Sequence, residues 1–162
     1  MISALLLTAL CGLQTPPAQP PPTLPAIASL PEIKPIQSLR FASRGFSFTW
    51  DKLISVDLEV DGLRVKTIFF NEREPKNRYL KGRKFGHRAQ LEVTNTSTMP
   101  RIPGFAVAVM DEEGRLLGAA TGGTKFGTVK AGGTETFDLN FVQVKQRLPR
   151  GARFVLSVEL RD

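Results

Sequence analysis

The chain is 162 residues long, 41% apolar and 23% charged, with a formal net charge of +7. That composition excludes a disordered polyelectrolyte and a multi-span membrane protein, and the length fits one domain around one hydrophobic core. The excess charge is concentrated, because between Asn71 and Arg88, "NEREPKNRYLKGRKFGHR", seven cations stand against two acids, a local charge of +5.

The chain opens with an apolar run of twelve residues, 2–13, "ISALLLTALCGL". A helix needs about 20 residues to cross a bilayer, so the run reads instead as the h-region of a signal peptide over residues 1–18. Its n-region carries no Lys or Arg. The expectation is export to the periplasm or the extracellular space. Cys11 offers an alternative: "LTALC" resembles a bacterial lipobox, with Leu10 where Gly, Ala or Ser is usual, and acylation there would make the chain a membrane-anchored lipoprotein. Ordinary secretion is the preferred reading, and membrane contact is expected only through the signal or a lipid on Cys11. A chain without the signal keeps no cysteine, which excludes disulfides, thiol catalysis and any Cys-based metal site.

Residues 19–45 read as a Pro-rich linker, and residues 16–35 hold eight of the twelve prolines. Such a stretch lacks backbone donors and favours the extended polyproline II conformation, so it acts as a semi-rigid tether. It lacks the flanking basic pattern of a proline-rich ligand motif.

From Phe46 to Asp162 the hydrophobic period is two, the signature of half-buried strands. In "ISVDLEVDGLRVKTIF", Ile54, Val56, Leu58 and Val60 share one face, and Asp61-Gly62 is a two-residue hairpin signal because a type I′ turn needs positive φ at both central positions. The register this turn dictates sets Val60 opposite Leu63, Leu58 opposite Val65 and Ile54 opposite Phe69. On the other face it sets Glu59 opposite Arg64 and Asp57 opposite Lys66. Inward faces follow in "HRAQLEVTN" (Ala89, Leu91, Val93), "GFAVAVMD" (Phe105, Val107, Val109), "TETFDLNF" (Phe137, Leu139, Phe141) and "ARFVLSVEL" (Phe154, Leu156, Val158, Leu160), while "DEEGR" closes a turn into "LLGAAT". About seven short strands with no helical stretch predict an all-β fold, an antiparallel two-sheet immunoglobulin-like β-sandwich.

Within it, "LEVTNTS" (Leu91 to Ser97), "VAVMDEEGRLLG" (Val107 to Gly118) and "VKAGGTETFDL" (Val129 to Leu139) resemble the FxLYD-type immunoglobulin-like domains of bacterial exported proteins. In the naming motif Val107 takes the Phe place, Val109 the Leu place and Met110 the Tyr place, and Asp111 is the literal match. The resemblance spans residues 86–141, about a third of the chain. It implies a sandwich fold and an extracytoplasmic setting, and no catalytic residue.

Few residues suggest chemistry. His87 is the single histidine, with no HxH or HExxH spacing around it, and reads as a surface strand residue. No serine sits in a GxSxG elbow. Asp111, Glu112 and Glu113 are consecutive in a tight turn, where solvated charge is the ordinary role. The glycines of "GGTKFG", Gly122 to Gly127, precede no helix that would hold a phosphate, so turn geometry explains them. Asn95-Thr96-Ser97 matches a glycosylation sequon, which matters only in a eukaryotic secretory pathway. No cofactor and no metal site is expected.

The stretch from Asn71 to Arg88 has two readings. As an anion-docking segment, Arg73, Lys76, Arg78, Lys81, Arg83, Lys84 and Arg88, interleaved with Tyr79 and Phe85, meet phosphates, lipid headgroups or acidic wall polymer. As a solvated crossover, it links strands that lie in different sheets, and the crossover is the preferred reading. The leading expectation is therefore a non-enzymatic exported β-sandwich for binding or assembly at the bacterial cell envelope, its partner another envelope protein. The alternative is a polyanion-binding module for nucleic acid, anionic lipid or wall polymer, helped by Arg147, Arg150 and Arg153. An enzyme ranks third.

Overall fold

The computed structural model describes residues 35–73, 86–124, 127–142, 144 and 146–161. Among them the chain forms β1 (Ile36–Gln37), β2 (Phe41–Ser47), β3 (Leu53–Val60), β4 (Leu63–Glu72), β5 (His87–Asn95), β6 (Ile102–Met110), β7 (Leu116–Gly123), β8 (Thr134–Phe141) and β9 (Arg153–Arg161), with one 3-10 turn at Leu148–Arg150. The strands build two antiparallel sheets, β1-β2-β9-β6-β7 and β3-β4-β5-β8, whose apolar faces meet in a β-sandwich. The meander β3-β4-β5 lays down most of one sheet, the chain crosses to make the β6-β7 hairpin, returns for β8 and closes with β9.

The alternation expected from sequence holds in most strands. Ala89, Leu91 and Val93, then Phe105, Val107 and Val109, then Phe154, Leu156, Val158 and Leu160, are all buried between the sheets. A cluster of rings fills one end: Phe70 lies 4.7 Å from Phe48, 5.1 Å from Phe154 and 6.4 Å from Phe141.

The Asp61-Gly62 turn forms with positive φ at both residues, 42° and 78°, and sets Val60 opposite Leu63, Glu59 opposite Arg64 and Leu58 opposite Val65. Beyond that the expected register fails. A bulge at Val56 and Asp57 inserts one residue into β3, so Ile54 meets Ile68, not Phe69, and Asp57 pairs by its carboxylate with Arg64, not Lys66. Within the bulge Asp57 adopts a left-handed conformation, φ 45°. The β4-β5 register shifts at the same level, which turns Ile68 and Phe70 inward and leaves Phe69 half-buried. The run "TIFF" is apolar at both parities, so no alternation could locate the shift.

The sandwich also begins ahead of Phe46. Strand β2 pairs along its whole length with β9, from Phe41 opposite Glu159 to Ser47 opposite Arg153, inside the stretch expected to be linker up to residue 45. Exposed Arg44, sharing its parity with buried Ala42, hides the alternation there. The front of the chain, residues 1–34, with the expected signal peptide, Cys11 and most of the linker, lies outside the described residues.

Candidate functional site

The two strands that flank the cationic stretch are direct neighbours in one sheet. Strands β4 and β5 pair from Leu63 opposite Asn95 to Glu72 opposite His87, and the Arg73 amide donates to the Gly86 carbonyl at 2.9 Å just beyond the last pair. The expected crossover between sheets is therefore corrected to a hairpin connection. Two to five residues close an ordinary antiparallel hairpin, whereas twelve, 74–85, are inserted here.

Of the seven cations expected to bind anions, Lys76, Arg78, Lys81, Arg83 and Lys84 lie outside the described residues, as do Tyr79 and Phe85. The other two mark the base of the insert. Arg73 is exposed at the end of β4. Arg88 lies on the outer face of the sheet and is committed sideways, donating from Nε to Asn71 Oδ1 at 2.9 Å and from Nη1 to Asp138 Oδ2 at 3.2 Å. It ties β4, β5 and β8 together below the insert, which makes it a brace for the site more than a contact residue.

Arg147, Arg150 and Arg153 come to the same end of the sandwich. Phe141, at the end of β8, pairs with His87, and the 3-10 turn at Leu148–Arg150 then carries the chain into β9 at Arg153. Leu148 is fully buried and anchors that turn, leaving Arg147 and Arg150 exposed beside it. The three residues lie some sixty positions from the insert in sequence, and β8–β5 pairing is what brings them to its end of the sandwich.

His87 is not a surface residue. It is buried, with its ring edge-on to Trp50 at 4.8 Å. The signal was present in the sequence, since His87 shares parity with inward-facing Ala89, Leu91 and Val93, and an imidazole that packs against an indole contributes to the core beneath the insert.

Asp111 likewise leaves the solvated role expected of it. Its carboxylate accepts from the Arg115 backbone amide at 2.8 Å and from Arg115 Nε at 2.7 Å, and it is only 7% exposed, while Glu112 and Glu113 remain exposed. Desolvation pushes its pKa up, but the side-chain and backbone hydrogen bonds from Arg115 outweigh that and hold it below the ordinary range. This carboxylate is a clip for the β6-β7 turn and is poorly placed to act as an acid or base. A group depressed in the folded state stabilises the fold above its unfolded pKa, about 3.9 for Asp, and that contribution is lost as pH falls through the folded value. Asp111→Asn is therefore expected to flatten the acid limb of a stability-versus-pH curve measured by urea unfolding below about pH 4. An unchanged limb would show that other carboxylates set it.

Asn95 of the sequon is fully buried, and its Nδ2 donates to the Met99 carbonyl at 2.8 Å and the Val129 carbonyl at 2.9 Å. Both amide hydrogens are committed, so the motif is a structural turn and its Asn is closed to a glycan in this fold. In "GGTKFG" Gly123 has φ 146°, and an added Cβ would come within 2.3 Å of the Pro103 carbonyl oxygen. Close strand approach accounts for that glycine, and Lys125 and Phe126 of the same stretch lie outside the described residues.

Among the described residues no group of three or more His, Cys, Asp or Glu is placed to hold a metal ion, and no helix is long and apolar enough to cross a membrane. Compared with known proteins, the chain matches no family model and no curated protein sequence.

Proposed function

We propose that this chain is a non-enzymatic binding module of the bacterial cell envelope that grips acidic polymer through the cationic insert between β4 and β5. The observation that carries the reading is the pairing of Glu72 with His87 and the Arg73-to-Gly86 hydrogen bond. The sheet has no topological need for the residues between them. Long connections without a structural reason are commonly functional, and this one holds five cations against a single acid, Glu74. Arg147 and Arg150, exposed at the same end, extend the positive surface. Export supplies the setting: the apolar run, the Pro-rich tether and the likeness to FxLYD-type sandwiches all suit a domain held off a membrane or wall. The fates of His87 and Asp111 favour binding over catalysis, because the two residues with most chemical potential are spent on packing and turn closure.

The test is binding to DNA and to an acidic wall polymer across a salt series, with Arg78, Lys81, Arg83 and Lys84 changed together to Gln in a parallel variant that leaves the brace Arg88 intact. Each phosphate neutralised contributes roughly 0.7 to 0.9 to the slope of log affinity against log salt. The native protein is expected to show a steep slope, and the Gln variant one shallower by about 3 to 4. Weak and equal binding by both would sink the proposal and move the search to protein partners in the envelope.

A further inference from the structure

The two sheets present contrasting outer faces. On β3-β4-β5-β8 the outer face is a ladder of charge, with ion pairs Arg64–Asp57, Lys66–Glu92 and Arg88–Asp138. The outer face of β2-β9-β6-β7 is different. Leu156 and Val158 of β9 point into the core, so Val155 and Ser157 point outward, and the strand registers extend each of them into a row across four strands. One row reads Ser43, Ser157, Ala106 and Thr121, and the next reads Gly45, Val155, Ala108 and Ala119. Neither row holds a charge. Ser43 and Ser157 satisfy each other, their Oγ atoms 2.9 Å apart. An antiparallel sheet with one solvated face ordinarily turns polar residues outward, and a broad uncharged face is the mark of a contact with protein.

Charge returns in the flanking rows, with opposite sign at the two ends. The row beyond Ser157 is Phe41, Glu159, Gly104 and Gly123, and the row beyond Val155 is Ser47, Arg153 and Met110. The side chains of Glu159 and Arg153 have no ion-pair or hydrogen-bond partner among the described residues. A two-fold axis that runs across the strands, between the two uncharged rows, would stack this face on a second copy with each strand over its own reversed equivalent. The flanking rows then exchange. Glu159 meets the second copy's Arg153, twice by symmetry, while Phe41 meets its Ser47, Gly104 its Met110 and Val155 its Ser157, so that a large side chain faces a small one each time. Moving the axis onto the Ser157 row would instead set Arg153 against the second copy's Arg161, so charge selects the first arrangement. The exposed Arg161 guanidinium, whose Nε and Nη2 lie 3.6 Å from where a Cβ on Gly104 would stand, swings aside as that methionine docks.

We propose that the outer face of β2-β9-β6-β7 is a self-association surface on which a second copy of this chain docks face to face, clasped at both ends by Arg153–Glu159 ion pairs. Four strands and four rows cover roughly 19 by 23 Å. That footprint is smaller than the ~800 Å² per partner of a standard interface, so the dimer is expected to be weak. Strands β4 and β5, which carry the insert, belong to the other sheet and stay uncovered.

The experiment is sedimentation velocity of the full chain across a concentration series. The native protein is expected to pass from monomer to dimer. Arg153→Glu and Glu159→Arg each make both clasps repulsive and are expected to weaken self-association at least about tenfold. Both positions lie on the outer face, and an unchanged urea midpoint would show that the fold is intact. The two variants mixed are expected to form a heterodimer as readily as the native chain pairs with itself, because each supplies the charge the other needs. A chain that stays monomeric throughout the series, a dimer that both reversals leave intact, or a mixture that fails to pair would each overturn the surface. The Gln variant of the insert is expected to dimerise as the native chain does, so this proposal and the polymer reading fail separately.

Discussion

Phe70→Ala is expected to destabilise the protein by about 4 kcal/mol, the upper range for removing a buried aromatic ring. Phe70 is fully buried and its ring is the hub of the cluster formed with Phe48, Phe141 and Phe154. These partners come from three different places: Phe141 from β8 in the same sheet, Phe154 from β9 in the facing sheet, and Phe48 from the chain just after β2. Truncation therefore opens a cavity where the sheets are held to each other, and a site bounded by rigid strands collapses poorly. Pairs of rings in tilted or edge-on contact add roughly 0.5 to 1.5 kcal/mol beyond burial, so part of the loss is specific to aromatic shape. Phe70→Leu is expected to cost about half as much, since it keeps most of the volume. Urea unfolding with a constant m-value would measure both. A loss under about 1.5 kcal/mol for the Ala variant would mean that the two sheets are joined chiefly elsewhere.

The position of Phe70 shows how far a sequence can be read. The Asp61-Gly62 turn was legible because its two positive φ angles select a rare dipeptide, and the first three cross-strand pairs followed from it. The bulge at Val56 and Asp57 was not, because bulges reset parity and the residues beyond it, "TIFF", satisfy either setting. His87 was misplaced for the opposite reason: its parity was correct, but its polarity argued for the surface, and the Trp50 ring that makes burial favourable comes from a turn between β2 and β3. The insert was legible as charge and misread as topology. Whether β4 and β5 share a sheet depends on their pairing, and a run of Arg and Lys carries no information about that.

Asn95→Ala is expected to cost about 3 kcal/mol, because the side chain makes four hydrogen bonds and each contributes roughly 0.5 to 1.5 kcal/mol net. Beyond the two donated by Nδ2, Oδ1 accepts from the Ser97 amide at 3.0 Å and the Ser97 hydroxyl at 2.7 Å. The neighbouring Thr96 donates from its amide to the Gly62 carbonyl at 2.7 Å, and an added Cβ at Gly62 would lie 2.7 Å from Ser97 Cβ. The loop after β5 is thus clamped on the β3-β4 turn, and Asn95 is its buried pin. Its bond to the Val129 carbonyl also fixes the segment that brackets Arg101. Asn95→Asp separates this role from simple volume. The shape is kept and the Ser97 bonds survive, but at neutral pH a buried carboxylate would face the Met99 and Val129 carbonyl oxygens. Burial and those acceptors favour the protonated form, so the folded-state pKa of the introduced carboxyl lies above its unfolded value. Stability of this variant is then greatest below the unfolded pKa and falls as pH rises through the folded one. At pH 7 the Asp variant is expected to be less stable than the Ala variant, and acidification is expected to narrow or reverse that order. An Asp variant that matches the native protein at neutral pH would show that both Nδ2 hydrogen bonds are dispensable, and with them the claim that Asn95 pins the loop after β5 to the segment around Val129.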